Sequence, residues 1–267
     1  MSSKLNKLIS SWNKGTVVTY KHLSHNGYES SLLNSYIKSG WIESYGTGAY
    51  CLKNDYIEWT GALSSIQNQL NSSFIPGGRT ALELHGRGHF IRNSNTVFVY
   101  GPQYEYLPKW FTGKTWDNNK LKIIKSKLFP KNFDKGIQTI QVKEYSLKVS
   151  MIERALFELT YNIPDMISFE EAGYLFESML DLNPELVQTL LESCNYIKVK
   201  RLFLYFVDLK KLPCLDKISL NKVDLGRGKR VIAKNGKYDS KYKITVPYDI
   251  DQEEESSEDY FEDESEI

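Results

Sequence analysis

The sequence predicts an α+β fold in which a small helical unit ending in a β-hairpin precedes a larger mixed α/β domain. Two features of residues 1–250 support this expectation. The first 53 residues contain three short amphipathic helical patterns followed by a glycine-centred hairpin pattern. Residues 76–250 contain both strand-like and helix-like segments, whereas residues 251–267 are too acidic and too poor in apolar residues to fold alone.

The first two predicted helices are short and follow each other closely. Apolar residues at helical spacing define one face of the first helix: Leu5, Leu8, Ile9 and Trp12. A second helix fits residues 19–25, with Thr19 as the expected N-cap. Asn26-Gly27 then forms the tight turn of a helix-turn-helix.

The third predicted helix covers residues 29–39 and ends at Gly40, a typical C-terminal stop. Its apolar face consists of Leu32, Leu33, Tyr36 and Ile37. Residues 41–45 and 49–52 then have the composition of two strands around Gly46-Thr47-Gly48. Three helices and a hairpin in this order indicate a winged helix-turn-helix, which we expect to be complete by residue 53.

A connector is expected over residues 54–75, and the apolar residues of its helix share one face: Trp59, Leu63, Ile66 and Leu70. Pro76-Gly77-Gly78 breaks the chain, so we place the start of a mixed α/β domain at residue 76 and its end at residue 250. Strands are expected at residues 96–100, 121–127 and 137–143.

Capping patterns predict the start of three helices in this second domain. They are Ser150-x-x-Glu153, Ser168-x-x-Glu171 and Asn183-Pro184. A fourth helix is expected over residues 198–209. Asn235-Gly236 predicts a hairpin between strands at residues 230–234 and 237–246.

The charge is strongly segregated along the chain, although the formal net charge is only +1. Residues 251–267 hold ten acidic residues and no Lys or Arg, which leaves 34 basic and 23 acidic residues, a net charge of +11, in residues 1–250. A basic body predicts a polyanionic partner. No apolar run approaches the roughly 20 residues of a membrane span and no apolar leader is present, so we expect a cytoplasmic protein.

Double-stranded DNA is the polyanion that suits a winged helix. Small hydrogen-bonding side chains on the third helix are expected to meet base edges: Ser30, Ser31, Asn34 and Ser35. Thr47 is expected to contact DNA from the wing, and phosphates are expected to be bound by Lys4, Lys7, Lys14, Lys21 and Lys38. A protein–protein module with a solvated helix face is the alternative interpretation of the same pattern.

The sequence lacks a recognisable catalytic or metal-binding pattern. The histidines His85 and His89 are four residues apart, but Gly86 and Gly88 interrupt any helix that would align them. Residues 225–230 are glycine-rich and basic without the spacing of a phosphate-binding loop, and Gln141-Val142-Lys143 has a glutamine where a nuclease needs a carboxylate. Three cysteines without a CxxC pair are expected to be buried and structural. We therefore expect a non-enzyme without metal or cofactor.

Four segments together resemble the AbiEi antitoxins of bacterial abortive-infection, type IV toxin–antitoxin systems, which act in phage defence. They are the N-terminal winged helix, PGGRTALELHG at residues 76–86, VSMIERALFEL at residues 149–159 and LLESCNYIKVKRLFLYF at residues 190–206. The resemblance implies a repressor that binds inverted repeats in its own promoter. It also implies a nucleotidyltransferase-like toxin that is counteracted without a stable complex, and it transfers no catalytic residue.

A second charged surface is expected at the start of the predicted helix over residues 198–209. Lys198, Lys200 and Arg201 place positive charge in a first helical turn, where it opposes the helix dipole and adds little stability. They are therefore candidates for an anionic partner, unless their stems merely cover the core.

Two other functions stay open from the residues alone. One is a nucleic-acid-processing enzyme that a winged helix directs to its target. The other is a plain transcription regulator whose second domain senses a ligand or assembles oligomers.

Overall fold

The computed structural model describes residues 4–88 and 95–248, so His89 and the acidic residues 251–267 lie outside the described residues. The N-terminal elements are α1 (Lys4–Ser10), β1 (Val18–Thr19), α2 (Tyr20–His25), α3 (Ser30–Lys38), β2 (Ile42–Gly46) and β3 (Ala49–Leu52). The strands form an antiparallel sheet in the order β1-β3-β2, in which Ile42 pairs with Leu52. The predicted order of helices and hairpin is confirmed.

Local signals explain where these helices begin and end. The Thr19 side chain accepts a hydrogen bond from the backbone N–H of His22, as expected of an N-cap. Gly27 and Gly40 have φ angles of +80° and +75° after α2 and α3, a backbone conformation that favours glycine. A small apolar core holds the unit together: Leu8, Trp12, Leu23, Leu33, Tyr36 and Ile42.

The middle of the chain forms a second layer of strands and helices. Its elements are α4 (Trp59–Leu70), β4 (Ile75–Pro76), α5 (Gly78–Leu84), β5 (Thr96–Pro102), α6 (Lys109–Thr112), β6 (Lys120–Ser126), β7 (Ile137–Val142) and β8 (Tyr145–Ser150). β5 is antiparallel to β4 and parallel to β6, and β7 forms a separate antiparallel hairpin with β8.

Strand β8 corrects the sequence prediction, which placed Val149 and Ser150 at the start of a helix. The buried side chains of β8 alternate, at Tyr145, Leu147 and Val149, as in a strand with one face on the core. The expected capping box at Ser150 is wrong, because Met151 is the N-cap of the following helix and the Ser150 hydroxyl donates to the buried Glu158 carboxylate.

Helix α4 lies where a connector was expected but is a central core element. On one side the Ser65 hydroxyl accepts a hydrogen bond from the backbone N–H of Val17 at 3.0 Å. On the other side the Gln67 amide donates to the backbone oxygens of Phe74 and Lys148, each at 2.9 Å. One apolar cluster accordingly joins the inner face of the winged-helix sheet to β5 and β8.

The last third of the chain is mostly helical. It contains α7 (Ile152–Tyr161), α8 (Phe169–Glu177), α9 (Pro184–Ser193), α10 (Ile197–Leu209), two 3-10 helices (Pro213–Lys217 and Leu220–Lys222), β9 (Arg230–Val231), β10 (Lys237–Asp239) and β11 (Ile244–Val246). The predicted caps at Ser168 and Asn183 are confirmed by hydrogen bonds from the backbone N–H groups of Glu171 and of Glu185 and Leu186. Among the helices of residues 4–88 and 95–248, none is long and apolar enough to cross a membrane.

The predicted hairpin around Asn235-Gly236 is wrong. β11 lies between the other two strands, antiparallel to β10 and parallel to β9. The reversal therefore occurs inside the predicted strand over residues 237–246, between Asp239 and Ile244. The Asn-Gly signal marks a turn correctly but does not determine which strands pair, because pairing depends on distant residues.

Candidate nucleic-acid interface

Helix α3 presents a continuous polar face to solvent. Its exposed side chains are Ser30, Ser31, Asn34, Ser35 and Lys38, while Leu33 and Tyr36 are buried beneath them. Because residues three and four apart share a helix face, the apolar side anchors the helix and the serine and asparagine groups point away from the core. Thr47, at the tip of the wing, is exposed as well.

Tyr20 joins α3 to the wing. The Ser30 hydroxyl donates to the Tyr20 hydroxyl oxygen at 2.9 Å, and the backbone N–H of Tyr20 donates to the carbonyl of Gly48 at 2.8 Å. The Tyr20 side chain is 36% exposed, so its hydroxyl is open to solvent beside the start of α3. Tyr20 was not predicted to be part of this surface, because an aromatic residue at the first position of a short helix produces no periodic signal.

Lysines surround this polar face. Lys7, Lys21 and Lys38 are exposed, and their ammonium groups contact no polar partner within residues 4–88 and 95–248. Lys4 is exposed too, although its ammonium group donates to the carbonyl of Gly27 at 3.3 Å and thereby ties α1 to the turn after α2. Uncommitted ammonium groups are available to bind phosphate.

The winged helix carries few negative charges that would oppose this. Residues 1–53 contain six lysines and two glutamates. One of the glutamates, Glu43, accepts a hydrogen bond from Lys53 at 2.9 Å, and this bond lowers the pKa of Glu43. The remaining lysines leave the unit with a positive field.

The surface expected around Lys200 and Arg201 is not a surface. Lys200 is 4% exposed and Arg201 is 1% exposed. Their side chains donate hydrogen bonds to the backbone carbonyls of Asp224 and Leu225, respectively. The Arg201 guanidinium binds the carbonyl oxygens of Leu225 (2.7 Å), Gly226 (3.0 Å), Gly228 (2.6 Å) and Lys243 (3.2 Å). Lys198 is half-buried and donates to the carbonyl of Ile163, and burial lowers the pKa of Lys198.

These contacts explain why positive charge occurs in the first turn of α10. Three carbonyl groups of the glycine-rich residues 225–228 face the Arg201 guanidinium, which supplies their donors. From sequence, Lys200 and Arg201 were candidates for an anionic partner, and the alternative that their stems cover the core is closer to the structure. A buried arginine among carbonyls has no local sequence signature.

The side chains considered for chemistry have structural contacts. A ring nitrogen of His85 lies 2.8 Å from the carbonyl oxygen of Ser150, and Lys143 forms an ion pair with Glu58 at 2.6 Å. Within the described residues, no group of three or more His, Cys, Asp or Glu side chains is placed to hold a metal ion. All three cysteines are buried, and burial raises the pKa of Cys51 to about 12 and those of Cys194 and Cys214 to about 11.

Two family models together cover nearly the whole chain. The model described as transcriptional regulator, AbiEi antitoxin N-terminal domain, matches residues 1–93, and the model described as transcriptional regulator, AbiEi antitoxin, type IV TA system, matches residues 94–247. The chain belongs to the AbiEi antitoxin family. AbiEi membership agrees with the resemblance found in the sequence, and it describes a transcriptional regulator of a type IV toxin–antitoxin system.

The fold of this AbiEi protein also occurs among solved structures. The crystal structure of the RV2827C protein from Mycobacterium tuberculosis is similar, with a TM-score of 0.57 and 14% sequence identity. The likeness covers 90% of this chain and 88% of that chain, and at this identity it concerns the fold alone. A comparison with curated protein sequences finds no match.

Two of the segments that carry the AbiEi resemblance meet at the buried Glu158 carboxylate. The backbone N–H of Gly78 donates to it at 3.1 Å, and the Arg154 guanidinium donates at 3.0 Å. A Cβ atom on Gly77 would lie 2.1 Å from the same carboxylate, so only glycine fits there. Burial raises the pKa of Glu158, although the hydrogen bonds that its carboxylate accepts lower the pKa in part. These AbiEi segments therefore stabilise the fold.

Proposed function

We propose that this AbiEi protein represses its own promoter by binding inverted repeats through the winged helix, and that it counteracts a nucleotidyltransferase-type toxin. The exposed serine and asparagine face of α3 supports the DNA-binding part most directly. A helix of this kind enters the major groove, where hydroxyl and amide groups distinguish base pairs.

Each exposed group has a different task in this proposal. Ser30, Ser31, Asn34 and Ser35 contact base edges, whereas Lys4, Lys7, Lys21 and Lys38 contact phosphates. Thr47 and the Tyr20 hydroxyl, which the wing and α2 position, meet the backbone beside the groove. Phosphate contacts supply affinity and fix orientation, and base contacts supply discrimination.

The toxin is counteracted, in this proposal, without a stable complex and without catalysis by the antitoxin. The family descriptions name an antitoxin and a transcriptional regulator, which supports two separable activities. A fragment that begins near Asp55 is a poor test of separation, because it would remove Val17, Ala49 and Cys51 from the core cluster shared with α4. Point variants of the full chain avoid that damage.

The experiment compares a Lys21→Glu/Lys38→Glu chain with wild type in cells that carry a promoter reporter and the gene immediately downstream. We expect the variant to lose repression, since two phosphate contacts become repulsive, and to retain growth rescue. A matched control is Lys217→Glu/Lys222→Glu, which makes the same charge change on exposed residues of the two 3-10 helices. It should retain both activities.

Three results would contradict the proposal. Normal repression by the Lys21→Glu/Lys38→Glu chain would remove the winged helix from promoter binding. A downstream gene that does not inhibit growth, or wild-type protein that does not relieve the inhibition, would remove the toxin from the account.

A further inference from the structure

A cleft of about 760 Å³ lies at the carboxyl ends of the two parallel strands β5 and β6. The last residues of these strands, Pro102 and Ser126, are paired in register and both line it. Ligands of sheets with parallel strands bind outside the carboxyl ends of the strands, and cavities of this volume accommodate small molecules. The cleft is separate from the exposed face of α3 and does not depend on the function proposed for it.

Positive charge dominates the walls of the cleft. Lys127, Lys131, Lys148 and Arg154 line it together with two acidic residues, Asp134 and Glu158. The Glu158 carboxylate is buried and neutralised by the Arg154 guanidinium at 3.0 Å. The ammonium groups of Lys127 and Lys148 are exposed and contact no polar partner in the part of the chain that the structure describes. An anion entering the cleft would meet unoccupied donors.

An exposed aromatic ring stands beside these charges. The Tyr104 side chain is 58% exposed, and the Lys131 ammonium group lies 5.1 Å from the centre of its ring. The rings of Phe129 and Phe133, which also line the cleft, stack with their centres 5.0 Å apart. Exposed aromatic rings next to lysines are typical of sites that stack a base and bind its phosphate.

We propose that this cleft binds a nucleoside phosphate, with the base stacked on Tyr104 and the phosphate held by Lys127 and Lys148. Two sources share this chemistry: a free nucleotide and the end of an RNA strand. The proposal assigns to the middle of the chain a ligand that the winged helix does not bind.

The test is calorimetric titration of the full chain with ATP, with inorganic tripolyphosphate and with a five-nucleotide single-stranded RNA. The Lys127→Ala/Lys148→Ala variant should bind ATP and tripolyphosphate about a hundredfold more weakly, because each of the two charge-assisted bonds contributes about a factor of ten. Tyr104→Ala should weaken ATP by about tenfold and leave tripolyphosphate unchanged, since only the base stacks. Lys217→Ala/Lys222→Ala is the matched control, and melting temperatures check the fold of each variant.

Competition between the ligands distinguishes the two sources. RNA that displaces ATP and binds more tightly supports a strand end, whereas ATP that binds more tightly than RNA supports a free nucleotide. The proposal is overturned if neither ATP nor the RNA binds at millimolar concentration. It is also overturned if ATP and the RNA bind equally well to wild type and to the Lys127→Ala/Lys148→Ala variant.

Discussion

The hydroxyl of Ser30 donates a hydrogen bond to the hydroxyl oxygen of Tyr20 at 2.9 Å, which links the first residue of α3 to the first residue of α2. The backbone of Tyr20 is in turn bonded to Gly48 in the wing. One residue, Tyr20, therefore holds the start of α3 and the tip of the wing. Such pre-organisation reduces the entropy that DNA binding would otherwise cost.

Replacing Tyr20 by Phe tests this link, because it removes the hydroxyl and keeps the ring. We expect promoter affinity to fall about fivefold, in line with the roughly 1 kcal/mol of a neutral hydrogen bond. Fluorescence anisotropy with a labelled promoter duplex measures the change. Tyr248→Phe, at an exposed tyrosine near the other end of the described chain, is the control and should bind normally. Equal affinity in the two variants would show that the Tyr20 hydroxyl is dispensable.

Arg201→Ala should destabilise the protein by about 3 kcal/mol, because it empties a buried position and removes the donor from the carbonyl groups of Leu225, Gly226 and Gly228. Urea unfolding followed by circular dichroism measures the loss. Arg227→Ala removes an exposed arginine from the same loop and should change stability by less than about 0.5 kcal/mol. In Arg201→Ala, proteases should cut first within residues 224–243. Similar stability of Arg201→Ala and Arg227→Ala would contradict the role of Arg201 in holding this loop.

A pair of glycine variants tests the packing around Glu158. Gly77→Ala places a methyl group 2.1 Å from the Glu158 carboxylate and should destabilise the fold by about 2 kcal/mol or more. Gly173→Ala lies inside α8 with no atom nearer than 3.9 Å to the new methyl group. It should be neutral or stabilise the fold by about 0.5–1 kcal/mol, because alanine favours helix. Differential scanning calorimetry separates the outcomes, and a stable Gly77→Ala protein would contradict the described packing.

The cysteines should be unreactive in the native protein. A raised pKa lowers the thiolate fraction at every pH below it, so at pH 8 a thiol of pKa about 11 is ionised in roughly one molecule per thousand. A thiol reagent such as iodoacetamide should label Cys51, Cys194 and Cys214 slowly at pH 8 and rapidly after unfolding in urea. Mass spectrometry identifies each labelled site. Rapid native labelling of any of the three would contradict its burial.

Elements that depend on neighbouring residues were predictable from sequence, and elements that depend on distant ones were not. The helices of the winged unit follow from local apolar spacing and from the Thr19 cap, and α8 and α9 follow from the Ser168 and Asn183 caps. Strand β8 was missed because its capping-like Ser150 has a tertiary partner eight residues on, Glu158.

The candidate sites divide in the same way. The polar face of α3 was predictable, because a helix with one apolar side must expose the other. The burial of Lys200 and Arg201 was not, since their carbonyl partners lie 24 to 42 residues away in sequence. The lysines and the tyrosine of the cleft come from separate segments, so no window of sequence brings them together.

The most direct test measures full-length protein against its own promoter duplex and an unrelated duplex of equal length, over a series of salt concentrations. Wild type should prefer the promoter, and affinity should fall steeply with salt. Lys38→Ala should weaken both duplexes equally and reduce the salt slope by about 1, whereas Asn34→Ala should chiefly reduce the preference, by about 1–3 kcal/mol. Equal binding of wild type to both duplexes, or an unchanged preference in Asn34→Ala, would contradict sequence reading by α3.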